Sequence, residues 1–450
     1  MRHLTRHPHT PLRVLFVVSN WPGHWFSMVP LGWALQAAGH EVRVVCAPSQ
    51  AEPVGRAGLT PLALLDAPDL AFMARLLNYS AAQGGRWPYR ELPPHPVTGR
   101  PVASLEEFEP GAWLRDHHER LVDMAHRSTD AAVDLGRRWR PHLVAHDLLS
   151  LEGPLVGRVL GVPALLHLWG PVGPDDRVRG VPLVPLDISR AFQRYEVGAL
   201  RRETYEYAID PCPAGAAPPL AAARRLPVRH VPYNGPGAMP PWLLTLPEAS
   251  ERRTGRPRVC VVWGTSVSVT FGPGSFAVPK VVEALAELDA EVLLTVTGAD
   301  RARLGPLPPG VRLLEHTPLH LLLPSCDLVV HHGGGGCAMT GLAAGVPHLM
   351  LPCGLDQETI AARIAAAGAG IALPNATADV PAIRAAVRRL LDGPSHRAAA
   401  LRLQDEMARG PHPSELVAHL EELAASPSPS PSPSPSPSPS PSPGPLPVRG

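Results

Sequence analysis

Short apolar runs separated by helix-length intervals constrain this chain more than any other feature. The first series reads "RVLFVV" (Arg13 to Val18), "SNWPGHWF", "SMVPLGWALQAAGH" and "EVRVVC". The first and last of these are too short for an ordinary helix and rich in β-branched residues, as strands buried on both faces are. Between them Met28, Leu31 and Leu35 fall at helical spacing on one face, and Gly39 stands where a helix C-cap favours positive φ. Strand, helix and strand make a βαβ unit, and Pro141 to Leu168 repeat it with "HLVAHDLLS" and "GVPALLHLW". A second series follows: "RVCVVWG", a helix near Val278 to Leu288, "EVLLTV", "DLVVHH" and "PHLMLP". The expected fold class is α/β, with two doubly wound, Rossmann-like domains.

Length agrees, since 450 residues at about 150 per domain exceed a single ordinary core. The stretch from Leu226 to Arg258, dense in Pro, Gly and charge, reads as a linker. The expected boundaries are 1–225 for the first domain, 226–257 for the linker, 258–410 for the second domain and 411–425 for a closing helix, "SELVAHLEELAA". From Ser426 to Pro443 run nine Ser-Pro dipeptides. Such alternation forbids helix and sheet pairing, so 426–450 is expected to be a disordered tail without a catalytic part. Apolar residues make up 45% and the formal charge is +1. No apolar run approaches the roughly 20 residues of a membrane span, and no basic stripe carrying aromatics points to nucleic acid. The basic start "MRHLTRHPHTPL" lacks a secretory signal, and six cysteines stand without a C-x-x-C pair, so a cytoplasmic chain is expected.

The chemistry concentrates in "HHGGGGCAMTGLAAGVPHLMLPCGLDQETIA", His331 to Ala361. A strand ends in His331 and His332, turns through Gly333, Gly334, Gly335 and Gly336, and enters a helix of small residues. Bare backbone at a helix start lets N–H groups approach an anion, and the helix end carries about half a positive charge. A neighbouring imidazole adds a donor for a developing diphosphate. The glycines fit equally well a tight turn that only packs. Asp356 and Gln357 come off the next strand's carboxyl end, where open α/β sheets bind ligands. There they can clamp vicinal hydroxyls, or Asp356 can simply cap a helix.

The run "VVHHGGGG…GLAAGVPHLMLP…DQ" resembles the donor site of glycosyltransferases with the GT-B fold, and most of all the actinobacterial antibiotic enzymes that use dTDP-activated deoxysugars. "PGHWFSMVPLGWALQAAGHEV", "PYNGPGAMPPWL" and "RVCVVWGTS" agree, so the likeness spans most of residues 13 to 420. It implies two facing Rossmann-like domains with a cleft between them, donor on the second, acceptor on the first, and a closing helix that crosses back. The Gly run departs from the family, which has Ala or Ser within it and Thr after it, where Cys337 stands here. Ser266 of "GTS" is expected to take up part of that lost phosphate contact. His316 and Thr317 stand in "EHTP", where the nucleotide base is expected to pack, and leave dTDP versus UDP open.

His24, in the loop after the first strand, matches the family's general base, and Asp147 matches its acidic partner. A carboxylate on one ring nitrogen would fix the tautomer and steady the imidazolium. His146 and Glu152 are weaker substitutes, and Asp147 acting alone would suit transfer to carbon. His331 is the preferred diphosphate ligand. Trp87, Tyr89 and Trp169 are candidate walls for a flat acceptor such as an aromatic polyketide. No D-x-D motif occurs, so no metal and no cofactor are expected. The expected partners are a dTDP-deoxysugar and a small aglycone, with a homodimer left open. The function implied is inverting transfer of a deoxysugar in antibiotic biosynthesis. A nucleotide-sugar 2-epimerase and a non-catalytic nucleotide-sugar-binding helper are the alternatives.

Overall fold

The computed structural model describes residues 11–66, 69–178, 180–247, 249, 255–264 and 266–426. The Ser-Pro tail beyond Ser426 and part of the linker therefore lie outside the described residues. The first sheet contains β1 (Arg13–Val17), β2 (Glu41–Cys46), β3 (Thr60–Ala63), β4 (Leu143–His146), β5 (Ala164–His167), β6 (Tyr207–Asp210) and β7 (Arg224–Pro227), in the order β3-β2-β1-β4-β5-β6-β7. The second contains β8 (Arg258–Val262), β9 (Glu291–Thr295), β10 (Val311–Leu314), β11 (Leu328–His331), β12 (His348–Met350) and β13 (Gly370–Ala372), in the order β10-β9-β8-β11-β12-β13. Every pairing in both sheets is parallel. Strand order reverses beside β1 and beside β8, and the loops there form the crevice in which such sheets hold ligands.

Both faces of each sheet are covered, which is why the strands read as unbroken apolar runs. Val14, Phe16 and Val44 pack on one side of the first sheet, and Leu15, Val17 and Val45 on the other. The second sheet repeats this with Val259, Val261 and Val330 against Cys260, Leu293 and Val329.

The helices that build the site are α1 (Val29–Ala37), α2 (Leu70–Gln83), α3 (Gly335–Ala343), α4 (Asp356–Ala366) and α5 (Pro413–Ala425). Helix α5 returns to the first domain. Its Leu416, Val417, Leu420 and Leu423 enter the same apolar cluster as Leu31 and Leu35 of α1, and Glu421 lies 3.0 Å from the His40 ring. One further cluster belongs to both domains: Leu168, Trp169 and Val172 pack with Met339 and Leu342 of α3 and Ile360 of α4. Arg363 of α4 reinforces it with a two-pronged bond to Asp176, at 2.6 and 2.8 Å, and donates to the Pro171 carbonyl. The sheets are thereby held with their carboxyl ends facing. Among the described residues no helix is long and apolar enough to cross a membrane.

Candidate active site

A cleft of about 920 Å³ lies between those ends and is lined by both domains. On the second domain, β11 turns into α3 through the glycines. Adjacent residues at a strand end face opposite ways, and this separates the two histidines. His331 is fully buried. Its Nδ1 accepts the Gly333 N–H at 3.0 Å, and its Nε2 lies 2.9 Å from His348 Nδ1. The expectation that His331 reaches the diphosphate is therefore corrected, because both of its nitrogens are engaged inside the domain. His332 is the one that lines the cleft. Its Nδ1 accepts the Gly264 N–H at 3.4 Å, which leaves Nε2 to carry the proton as a donor. Burial holds its pKa down to about 4, so it is neutral at working pH.

Gly333 has φ of +90° and gives its N–H to His331, so it leaves the cradle expected of four glycines. Gly334, Gly335 and Gly336 remain as cleft lining. A Cβ on Gly334 would fall 2.5 Å from His332 Nε2, and one on Gly335 would fall 2.7 Å from the Trp169 carbonyl oxygen. Beside Gly336 the space is open. The first N–H groups of α3 have no partner within the helix, so this wall offers bare donors to an anion. Ser266 lines the cleft next to it.

Asp356 begins α4 and reaches the cleft from the same side. Leu355 before it has φ of +58°, a strained geometry for a branched residue that fixes how the carboxylate is presented. Asp356 Oδ2 accepts the Trp169 indole N–H at 3.1 Å. Gln357 Oε1 accepts the Cys353 N–H at 3.0 Å, which turns the amide's donor side to the cleft. Thr317 does not join them. Its hydroxyl donates to the Glu315 carbonyl at 3.3 Å, outside the cleft lining.

Across the cleft, His24 stacks on Trp169 with ring centroids 4.1 Å apart and planes 25° apart. Asp147 is fully buried, and contrary to the expected direct pairing it does not bond the His24 ring. Ser19 stands between them. Its hydroxyl lies 3.3 Å from His24 Nδ1, and its N–H donates to Asp147 Oδ2 at 2.6 Å. The same hydroxyl and the N–H groups of Ser19 and Leu149 favour the carboxylate, but burial outweighs them and raises the Asp147 pKa to about 6. An ionised carboxylate only accepts, so the serine hydroxyl donates to it and accepts from Nδ1–H, leaving Nε2 bare. Desolvation lowers the His24 pKa to about 3. His146 is turned away, with Nδ1 at 2.9 Å from the Asp147 carbonyl, and Glu152 is buried.

Trp87 and Tyr89 also require correction. Both pack on the second domain's core, with Trp87 stacked over Phe271 and the Tyr89 hydroxyl accepting from Asn375. They brace a loop and do not line the cleft. The wall opposite the glycines comes instead from Leu70, Met73, Ala74 and Leu77 of α2, with Leu65 and Leu149. Met73 is 37% and Leu77 58% exposed, and an exposed apolar face in a cleft marks a ligand surface. Sequence reasoning missed this wall because its i, i+3, i+4, i+7 spacing reads as core. It missed Ser19 as well, whose signal was a hydroxyl two residues past the end of β1.

Two Rossmann-like domains with facing crevices, an anion cradle on one and an imidazole relay on the other define a glycosyltransferase of the GT-B type. Comparison with known proteins agrees. Residues 33–264 and 279–423 match the N-terminal and C-terminal domains described as erythromycin biosynthesis protein CIII-like. The chain is 33% identical to the 3-alpha-mycarosylerythronolide B desosaminyl transferase of Saccharopolyspora erythraea, over 92% of this chain and 99% of that one. It is 36% identical to the L-demethylnoviosyl transferase of Streptomyces niveus, over 90% and 96%. Among solved structures, spinosyn rhamnosyltransferase SpnG complexed with thymidine diphosphate superposes with a TM-score of 0.69 at 31% identity, covering 91% of this chain and 100% of that one. The chain belongs to this family of antibiotic deoxysugar glycosyltransferases.

Proposed function

We propose that the chain moves a deoxysugar from a dTDP donor to an apolar natural-product aglycone, a polyketide, with inversion at the anomeric carbon and without a metal or other cofactor. One observation carries the reading: His24 and the glycine cradle face each other across a single cleft. His24 Nε2 takes the acceptor proton as the acceptor oxygen attacks the anomeric carbon. The bond from that carbon to the diphosphate breaks on the far side, and its electron pair stays with the leaving oxygen. Attack and departure on opposite faces invert the centre. Ser19 passes the stabilising effect of Asp147 to the imidazolium, as an orienting carboxylate does in a base relay. His332 Nε2–H, the first N–H groups of α3 and Ser266 meet the charge growing on the diphosphate. One fixed donor of this kind is worth about 3 kcal/mol in the transition state.

The relatives' names support the donor and acceptor classes. Six free thiols support a reducing, cytoplasmic setting. The aliphatic wall of α2 suits a reduced or bulky aglycone at least as well as a flat aromatic one. The test is incubation of the purified chain with dTDP-sugars and polyketide aglycones, with and without EDTA, read by mass spectrometry and by the anomeric coupling of the product. Transfer that survives EDTA and gives the inverted anomer is expected. Transfer restored only by Mg²⁺ or Mn²⁺, or a retained anomer, would overturn the mechanism.

A further inference from the structure

Helix α2 has two working faces. Leu70, Met73, Ala74 and Leu77 line the cleft, whereas Arg75 and Asn78, three residues apart on the neighbouring stripe, reach across to the second domain. Asn78 is 2% exposed, and its amide donates to the Thr270 carbonyl at 2.9 Å. The Arg75 guanidinium lies 3.5 Å from the Val269 carbonyl and is itself anchored, with Nε donating to the Pro96 carbonyl at 2.8 Å.

Those two carbonyls close the short helix Val267–Phe271, at the end where a helix's own N–H groups cannot reach. Pro273 follows and brings no N–H. Donors therefore come from outside, and α2 supplies them. Inside the segment the hold is passed on, because the Thr270 N–H and hydroxyl both donate to the Ser266 carbonyl, at 3.0 and 2.8 Å. Ser266 is the residue that lines the cleft beside the glycine cradle. Its own domain grips the same segment at Ser268, whose hydroxyl donates to Asp300 Oδ1 at 2.7 Å. One domain thus fixes the middle of the segment and the other fixes its end.

We infer that Asn78, with Arg75 beside it, is a positioning residue for the donor: from the back of the acceptor wall it holds Ser266 in place against the diphosphate. One helix then serves both substrates, the acceptor by its apolar face and the donor by its polar one. The inference rests on the donor site proposed above.

Its test is a double-variant cycle of Asn78→Ala and Ser266→Ala, read by calorimetric titration of TDP and by separate KM values for donor and acceptor. Asn78→Ala should weaken TDP binding and raise donor KM about tenfold, the scale of one hydrogen bond to a charged group, with acceptor KM unmoved. Adding Ser266→Ala should cost little more, because both changes remove the same contact. A merely structural Asn78 gives other readings: acceptor KM rising with donor KM, as a displaced α2 would cause, or losses that add in the double variant. Either would overturn the inference. Thr270→Val keeps the shape, removes only the hydroxyl and guards against a misfolded Asn78→Ala. It should show the same donor-only pattern at smaller size, and an unchanged donor KM there would also overturn the inference. Ser266→Ala binding TDP as the wild type does would overturn it while leaving the glycine cradle standing. A wild-type chain that binds no TDP would instead remove the donor site itself, and the inference with it, before any variant is made.

Discussion

Both sheets run outward from their first strand in the same order, yet the walls they present to the cleft are made of different materials. The second domain offers backbone: Gly334, Gly335 and Gly336, with the neutral, buried His332 behind them. The first domain offers side chains, the aliphatic face of α2 and the His24 ring. The contrast fits what each wall is proposed to meet. A diphosphate carries concentrated charge, so rigid donors at close range stabilise it best and any Cβ in the way is harmful. An apolar aglycone is held by area removed from water, which unbranched side chains such as Met73 supply while adapting to shape.

The largest expected effect comes from adding one methyl to the backbone wall. Gly335→Ala would push a Cβ against the Trp169 carbonyl, which is main chain and cannot rotate away. Transfer should fall by about 100-fold or more, since a misplacement of about 1 Å can cost that much, and calorimetry should show weakened TDP binding. Near-normal titration of TDP by Gly335→Ala would show that the wall is not rigid.

His24→Ala should lower kcat by about 100-fold while leaving TDP affinity close to wild type. Ser19→Ala should cost less, and the double variant little more than His24→Ala, because residues acting as one unit are non-additive. Full additivity in that cycle would dissolve the relay.

The two histidines of the backbone wall should part company. His332→Ala should weaken TDP binding and slow transfer by about tenfold or more. His331→Ala should chiefly lower the melting temperature, since its bonds to Gly333 and His348 are internal. A reversed pattern would restore His331 as the phosphate ligand.

On the opposite wall, Met73→Ala and Leu77→Ala should raise acceptor KM by a few-fold, about what partly buried apolar groups are worth, with donor KM unmoved. A change in donor KM would mean that the walls are not functionally separate.

In one respect the walls are alike, for both keep their imidazoles neutral. Burial lowers His24 to about 3, His146 and His167 to about 4, His332 to about 4 and His348 to about 3, all from 6.5. Below 6.5 the unfolded chain binds protons that the folded chain refuses, so stability should drop as pH falls from 6.5 towards 4. Asp147 and Glu152, raised to about 6 and about 7, act in the opposite sense and soften the fall. A melting temperature flat from pH 7 to pH 4.5 would contradict the neutral assignment.

The inner strands β1, β4, β8 and β11 were legible because they are buried on both faces and so carry apolar runs, whereas the partly exposed outer strands β3, β7 and β10 carry none and were not read. Position alone left His24 a loop histidine and Asp356 a helix cap, and only the resemblance of "PGHWFSMVPL" and "GLDQ" to a known family made them candidates. The choice between His331 and His332 was not legible. Alternation puts neighbours on opposite sides, but which side holds the cleft depends on where the other domain sits. Trp87 and Tyr89 misled for the same reason. An aromatic ring in a loop reports that something apolar covers it, and here the cover is Phe271 of the other domain.

By itself the sequence determined two parallel α/β units, the bare backbone at the start of α3, and the acid and amide at the start of α4, since periodicity and glycine act within a few residues. Tertiary structure alone decided that Ser19 stands between His24 and Asp147 and that Trp169 ties His24 to Asp356. It also decided that an apparent core stripe on α2 lines the cleft. Each of these depends on contacts between residues more than a hundred positions apart, or on which face of a helix the other domain leaves open, and no local pattern carries that information.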